Sequence, residues 1–205
     1  MQNEIAQQIE AVKNNAAQLE FIENPTEQVI LEAINNRSWA IRFVKNQTEQ
    51  MKWLALQDDA HTLWFIENPT DEMKWAAINK NSCAIKYIEN PTEEMKWAAI
   101  NKTSGAIRCI ENPTEEMKWA AIKKDGWTIR MIENPTQDMQ LEAIKQNCFV
   151  IGHIEKPTDE MKWAAINQSG YAIYLIENPT QAMEQAAAVN MPCAIDLIEN
   201  RVQQK

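Results

Sequence analysis

Between Thr92 and Pro113 the apolar residues fall into two clusters separated by a polar break. Met95, Trp97, Ala99 and Ile100 form the first, with Lys96 and Asn101 left outside. Met-Lys-Trp alone alternates like a strand. The adjacent Ala98, Ala99 and Ile100 break that alternation and predict a helix of roughly 10 residues. Lys102, Thr103 and Ser104 interrupt the pattern, and Ile107 and Ile110 then predict a second inward-facing helix. That helix ends near Asn112, because the residue before Pro113 is pushed out of the α region. The first helix has two possible starts. Asn90 can cap it, with Pro91 in the first turn and Glu93 returning a capping-box bond, or Thr92 can cap it instead.

The same pattern returns every 22 residues. IENPTEEMKWAAI occupies residues 88–100 and 110–122 letter for letter, and near-copies stand at residues 66–78 and 154–166. A fixed short period marks a repeat architecture. Nine repeats fit, starting at Glu4, Thr26, Thr48, Thr70, Thr92, Thr114, Thr136, Thr158 and Thr180. An Ala recurs in every first helix, from Ala11 to Ala187, which implies two helices too close for a larger side chain. The residue aligned with Thr103 is a cap type in seven of the nine repeats, among them Asn15, Asp59, Asn81, Asp125 and Asn147. The column Trp53, Trp75, Trp97, Trp119 and Trp163 is replaced elsewhere by Ile9, Leu31 and Leu141, which predicts core filler. Helices this short are marginal alone, so each two-helix repeat is stabilised by stacking on the next. The expected fold is all-α: one right-handed α-solenoid of nine helix-turn-helix repeats over residues 1–205, the first and last acting as caps. Gln7, Gln185 and Ala188 depart from the consensus at those ends, followed by Met191-Pro192 and a polar tail from Arg201 to Lys205. A leucine-rich repeat of similar period would need a Leu-x-x-Leu-x-Leu pattern, which is absent.

The phrase Asn-Pro-Thr-Glu-Glu-Met-x-x-Ala-Ala-Ile, followed by a second Ala-Ile-x-x-Ile, resembles the uncharacterised helical repeats scattered through bacterial and bacteriophage proteins. The resemblance spans residues 4–200. It implies a phage or bacterial cytosolic interaction module, and no functional residues come with it. Small acidic phage proteins of this kind are often inhibitors of host defence.

Composition narrows the function. The net charge of −9 argues against general adhesion to nucleic acid or membranes, while leaving room for a local basic face. No apolar run approaches the roughly 18 residues of a membrane span, and MQNEIAQQIEAVKNN lacks the order of a signal peptide. Cys83, Cys109, Cys148 and Cys193 show no CxxC spacing and read as reduced thiols of a cytoplasmic protein, in the host bacterium if phage-encoded. His153 shares a column with Phe65, Tyr87 and Leu175 and is expected to be a core histidine. Nothing predicts catalysis, a metal site or a cofactor: there is no phosphate loop, Ser-His-Asp order or ligand spacing.

The repeats differ most in the second helix. Two positions three apart read Trp39/Arg42, His61/Trp64, Cys83/Lys86, Gly105/Arg108, Trp127/Arg130, Phe149/Gly152 and Tyr171/Tyr174 along the chain. Trp, Tyr and Arg dominate interface hot spots, and they also stack on bases and pair with phosphates. The expected partner-binding residues are therefore Trp39, Arg42, His61, Trp64, Lys86, Arg108, Trp127, Arg130, Phe149, Tyr171 and Tyr174, with Gly105 leaving a notch. The leading expectation is a partner protein; a nucleotide or single-stranded nucleic acid is the alternative. The Glu column (Glu23, Glu67, Glu89, Glu111, Glu133, Glu155, Glu177, Glu199) suggests DNA mimicry as a third possibility. The first-helix lysines, each three residues after an acid, predict a solvated, ion-paired face.

Overall fold

The computed structural model describes residues 2–190. Among them nine α-helices alternate with eight 3₁₀ helices, and there is no strand. The second helix of each repeat is thus a six-residue 3₁₀ helix, Ser104–Cys109 in the reference repeat, and not a longer α-helix ending near Asn112. The chain divides into two compact units, Met1–Lys102 and Thr103–Lys205. Within each, helix pairs stack in succession as a helical-repeat solenoid. The first unit holds the α-helices Gln2–Asn14, Glu27–Asn36, Glu49–Asp58, Asp71–Lys80 and Glu93–Lys102. The second holds Glu115–Lys124, Gln137–Gln146, Asp159–Gln168 and Gln181–Asn190. The second helix of the ninth repeat, with Cys193, Glu199 and the polar tail, lies outside the described residues.

Threonine, not asparagine, starts the α-helices that follow the first, Gln2–Asn14. The Thr92 hydroxyl accepts from the Met95 N–H at 3.2 Å, and Thr48, Thr70, Thr114, Thr136, Thr158 and Thr180 repeat the bond at 3.2–3.3 Å. Glu93 is then the first helical residue and Pro91 lies outside the helix, so the capping box read from Asn90 does not form. Asn90 has another task. It turns the chain at φ 51°, and Asn24, Asn68, Asn112, Asn134 and Asn178 do the same at 47–51°. Asn is the side chain that best tolerates this left-handed region after glycine.

No loop joins the α-helix to the 3₁₀ helix. Asp125 ends one by donating its N–H to Ala121 O at 3.0 Å and caps the next by accepting from the Trp127 N–H at 3.0 Å. Asn15, Asp59, Asn81 and Asn147 cap in the same way at 2.9–3.1 Å. The end carbonyls, which lack intrahelical donors, are met from the following repeat. Asn36 Nδ2 donates to Val12 O and Lys13 O at 2.8 and 2.9 Å, and Gln168 Nε2 donates to Lys145 O at 2.9 Å.

The core is Met, Ala and Ile: Met73, Ala77, Ile78 and Ile85 are buried, as are their equivalents in neighbouring repeats. Burying one such Ile or Met side chain is worth roughly 1.5–3 kcal/mol. The Trp column is not core filler. Trp53, Trp75, Trp97, Trp119 and Trp163 are all half-buried, covering the core rather than occupying it. The lysine face is less solvated than its spacing suggests. Lys52 is only 8% exposed, and Lys74, Lys96, Lys118 and Lys162 are half-buried. Their ammonium groups do reach the acids three residues earlier, at 2.7–3.4 Å.

Candidate functional site

A 3₁₀ helix turns once in three residues, so side chains i and i+3 eclipse one another. In Ser38–Phe43 the first and fourth residues, Ser38 and Ile41, face the core, and so does Ala40. The pair left outside is Trp39 and Arg42. The same register recurs along the chain, so the divergent pairs do share one face of their helices. Arg42, His61, Trp64, Lys86, Arg108, Arg130, Phe149, Tyr171 and Tyr174 are exposed; Trp39 and Trp127 are half-buried.

In the first unit these side chains form two groups. Arg42 Cζ lies 5.1 Å from the Trp39 ring centre and 4.5 Å from that of Phe43, and the two rings meet edge to face at 6.1 Å. None of the ion pairs among the described residues involves Arg42. The second group gathers around Tyr87. His61 and Trp64 approach its ring from the preceding repeat at 5.8 and 5.7 Å, and Lys86 Nζ stands 4.7 Å over it. Trp64 nevertheless stays 66% exposed. The His61 ring is pinned by Asp59, whose Oδ1 is 2.7 Å from Nδ1. Partial burial pushes the Asp59 carboxyl up, but the backbone and side-chain bonds from His61, with the charges of His61 and Lys80, outweigh it and hold the group below its usual value.

In the second unit Trp127 packs against His153 at 5.3 Å, with Arg130 Cζ 5.9 Å from the indole. His153 is exposed, so it is an outward ring and not a core histidine. Tyr171 and Tyr174 meet at 6.5 Å. Phe149, Met131 and Leu175 add exposed apolar surface. Gly105 opens less of a notch than its lack of a side chain suggests, because a Cβ there would touch Met131 Sδ at 3.7 Å. The row Lys86, Arg108, Arg130 is divided between the two units, Lys86 in the first and both arginines in the second.

The contributions that pair counting along the sequence misses come from the sixth 3₁₀ position: Phe43, Tyr87 and His153 complete each ring cluster. Their signal is the aromatic content of that column, which a core assignment absorbs. Among the described residues Cys148 is buried, and Cys83 and Cys109 are half-buried. Burial pushes the Cys148 thiol up from its ordinary value. Among the described residues no group of three His, Cys, Asp or Glu could hold a metal ion, and no helix is long and apolar enough to cross a membrane. The described members of the Glu column are all exposed. What this face offers chemically is flat apolar rings with cations beside them.

No family model matches the chain, and neither does any curated protein or solved structure.

Proposed function

We propose that the chain is a non-enzymatic scaffold that docks a partner protein through the outward columns of its 3₁₀ helices. In its finer form the reading is of a phage-encoded inhibitor of a bacterial defence protein, acting in the host cytoplasm. The observation that carries it is the exposure of large rings on the outward columns of the 3₁₀ helices in each unit, Trp64 foremost, in a chain whose Met-Ala-Ile core does not use them. Such rings lose hydration cheaply on docking and are the side chains that anchor interfaces. The α-helical face, by contrast, satisfies its own charges through lysine–carboxylate pairs three residues apart.

Co-purification from bacterial lysate tests the reading with three chains: wild type, a face variant carrying Trp64→Ala and Arg130→Glu, and Lys118→Ala on an α-helix. A stoichiometric protein partner should be retained by the wild type and Lys118→Ala and lost by the face variant, with melting temperature unchanged. Retention by the face variant sinks the reading. So does recovery of a nucleotide or nucleic acid in place of protein, with binding that collapses as salt rises.

A further inference from the structure

The second repeat, residues 26–47, breaks the pattern at three turn-side positions at once. Arg37 replaces the polar cap, Lys45 is the one lysine in a column otherwise made of Glu, and Gln47 stands where the other turns have Pro. Lys45 follows Arg42 by three residues in the sequence, just past the end of the 3₁₀ helix, and its column holds Glu23 and Glu67 in the adjacent repeats. A groove of about 660 Å³ is lined in part by Phe21, Phe43, Val44 and Lys45, and Arg42 Cζ lies 4.5 Å from the ring of its lining residue Phe43. Phe21 is 73% exposed, and Glu20 and Glu23 also line the groove.

Gln47 fixes this junction. Its Nε2 donates to Ile41 O at 3.3 Å and to Phe65 O at 2.7 Å, and its Oε1 accepts from the Glu67 N–H at 2.9 Å. The carbonyl just before Arg42 and the carbonyl just after Trp64 are therefore held by one amide. A proline at this position cannot make those bonds. The substitution fastens together the two 3₁₀ helices that carry Arg42 and Trp64.

Resting on the scaffold reading above, we infer that this junction binds a short acidic segment of the partner protein, with an apolar anchor between Phe21 and Phe43 and carboxylates on Arg42 and Lys45. Charge complementarity carries the choice of occupant. The Arg42 guanidinium is held over two rings with no carboxylate of its own, and a planar guanidinium pairs with carboxylates bidentately. Glu20 and Glu23, which also line the groove, repel a carboxylate beside them and favour an uncharged anchor there. A nucleic-acid strand is disfavoured, because its phosphates recur at every nucleotide and would meet Glu23 and Glu67 on both sides of Lys45. Gln47 is a positioning residue: it touches no partner and holds the platform in shape.

The test is selection of random dodecapeptides displayed on cells against the purified full chain, followed by fluorescence-polarisation titration of the best peptide. Selected peptides should pair carboxylates with a large apolar residue. Arg42→Glu and the milder Arg42→Gln should each weaken binding at least about tenfold, as should replacing the peptide's carboxylates by amides. Gln47→Pro restores the residue of the other turns; it should keep the circular-dichroism spectrum and melting temperature yet lose affinity. An affinity unmoved by Gln47→Pro removes its positioning role. Neutral or basic peptides, no enrichment over bare beads, or binding indifferent to both Arg42 variants overturns the proposal. In each of those cases the scaffold reading stands or falls by co-purification. If labelled oligothymidylate binds instead and is lost in Arg42→Glu, the protein-binding reading fails as well.

Discussion

Gly126 opens the 3₁₀ helix Gly126–Met131 and is buried. A Cβ placed on it would stand 2.5 Å from the Ala143 carbonyl oxygen and 3.0 Å from Gln146 Cβ. Ordinary contact begins near 3.4 Å, so the gap must open by roughly 0.9 Å. The obstacle is backbone within the helix Gln137–Gln146, which cannot rotate aside as a side chain can. Aligned positions carry Ala16, Ser38, Ala60, Ser82, Ser104 and Cys148, with a second glycine at Gly170, so the close approach is not a requirement of the repeat as such. Overpacking of this kind costs about 1–3 kcal/mol, and a backbone obstacle places Gly126→Ala at the upper end. Relief of glycine's conformational entropy returns about 0.5–1 kcal/mol. The net loss is about 2 kcal/mol, and at roughly 2–4 °C per kcal/mol for a chain of this size the melting temperature should fall by about 4–8 °C. Gly105→Ala is the control: its Cβ would meet nothing closer than Met131 Sδ at 3.7 Å, so it should be neutral or mildly stabilising. Urea unfolding followed by far-UV circular dichroism and Trp fluorescence compares the two. If Gly126→Ala lies within about 0.5 kcal/mol of wild type, or the two variants behave alike, the close packing of this pair is refuted.

Trp97 is half-buried, so Trp97→Ala should cost about 2 kcal/mol in urea unfolding, below the roughly 3–5 of a fully buried ring; a full-sized loss would mean the ring belongs to the core. Asp59 is held below its usual value by His61 and Lys80 against the opposing effect of its partial burial. Its folded pKa is thus lower than its unfolded one, near 3.9. Its contribution to stability is present at neutral pH and is lost as pH falls through the folded value. Asp59→Asn should therefore lose less melting temperature than wild type between neutral pH and about pH 3; equal losses would show that the His61 contact contributes nothing.

The period, the helical class and the inward Met, Ala and Ile positions were legible because each recurs at one spacing, and repetition turns a weak local signal into a firm one. The type of the second helix was not. Six residues between a cap and an Ile-Glu-Asn turn fit one and a half α turns or two 3₁₀ turns, and hydrophobic spacing does not separate them. Only backbone bonding does, as in the Ile110 N–H donating to Ile107 O at 3.3 Å. Asn90 and Thr92 were ambiguous for a related reason: both residues cap helices, and only the positive φ of Asn90 assigns the turn to it. The Trp column misled because replacement by Leu or Ile marks any apolar site, whether sealed in the core or lying over it. At the candidate site the outward pairs were visible in their divergence. The rings beneath them, Phe43 and Tyr87, were hidden by looking like core.

The choice of a 3₁₀ helix bears on how such a chain can change its binding without losing its fold. With three residues per turn the side chains fall into three columns. In Ser38–Phe43 one column buries Ser38 with Ile41, a second runs from buried Ala40 to half-buried Phe43 at the helix end, and the third turns Trp39 with Arg42 outward. An α-helix of the same length would spread positions three apart by some 60° around its surface, so an outward pair would intrude on packed positions. Eclipsed columns keep the two apart. The pair can pass from Trp39/Arg42 to His61/Trp64 to Tyr171/Tyr174 while Ile41, Leu63 and Ile173 stay buried beneath it. Charge on this face is then set almost independently of stability, and a cation such as Arg42 can persist in a strongly acidic chain because the core does not oppose it.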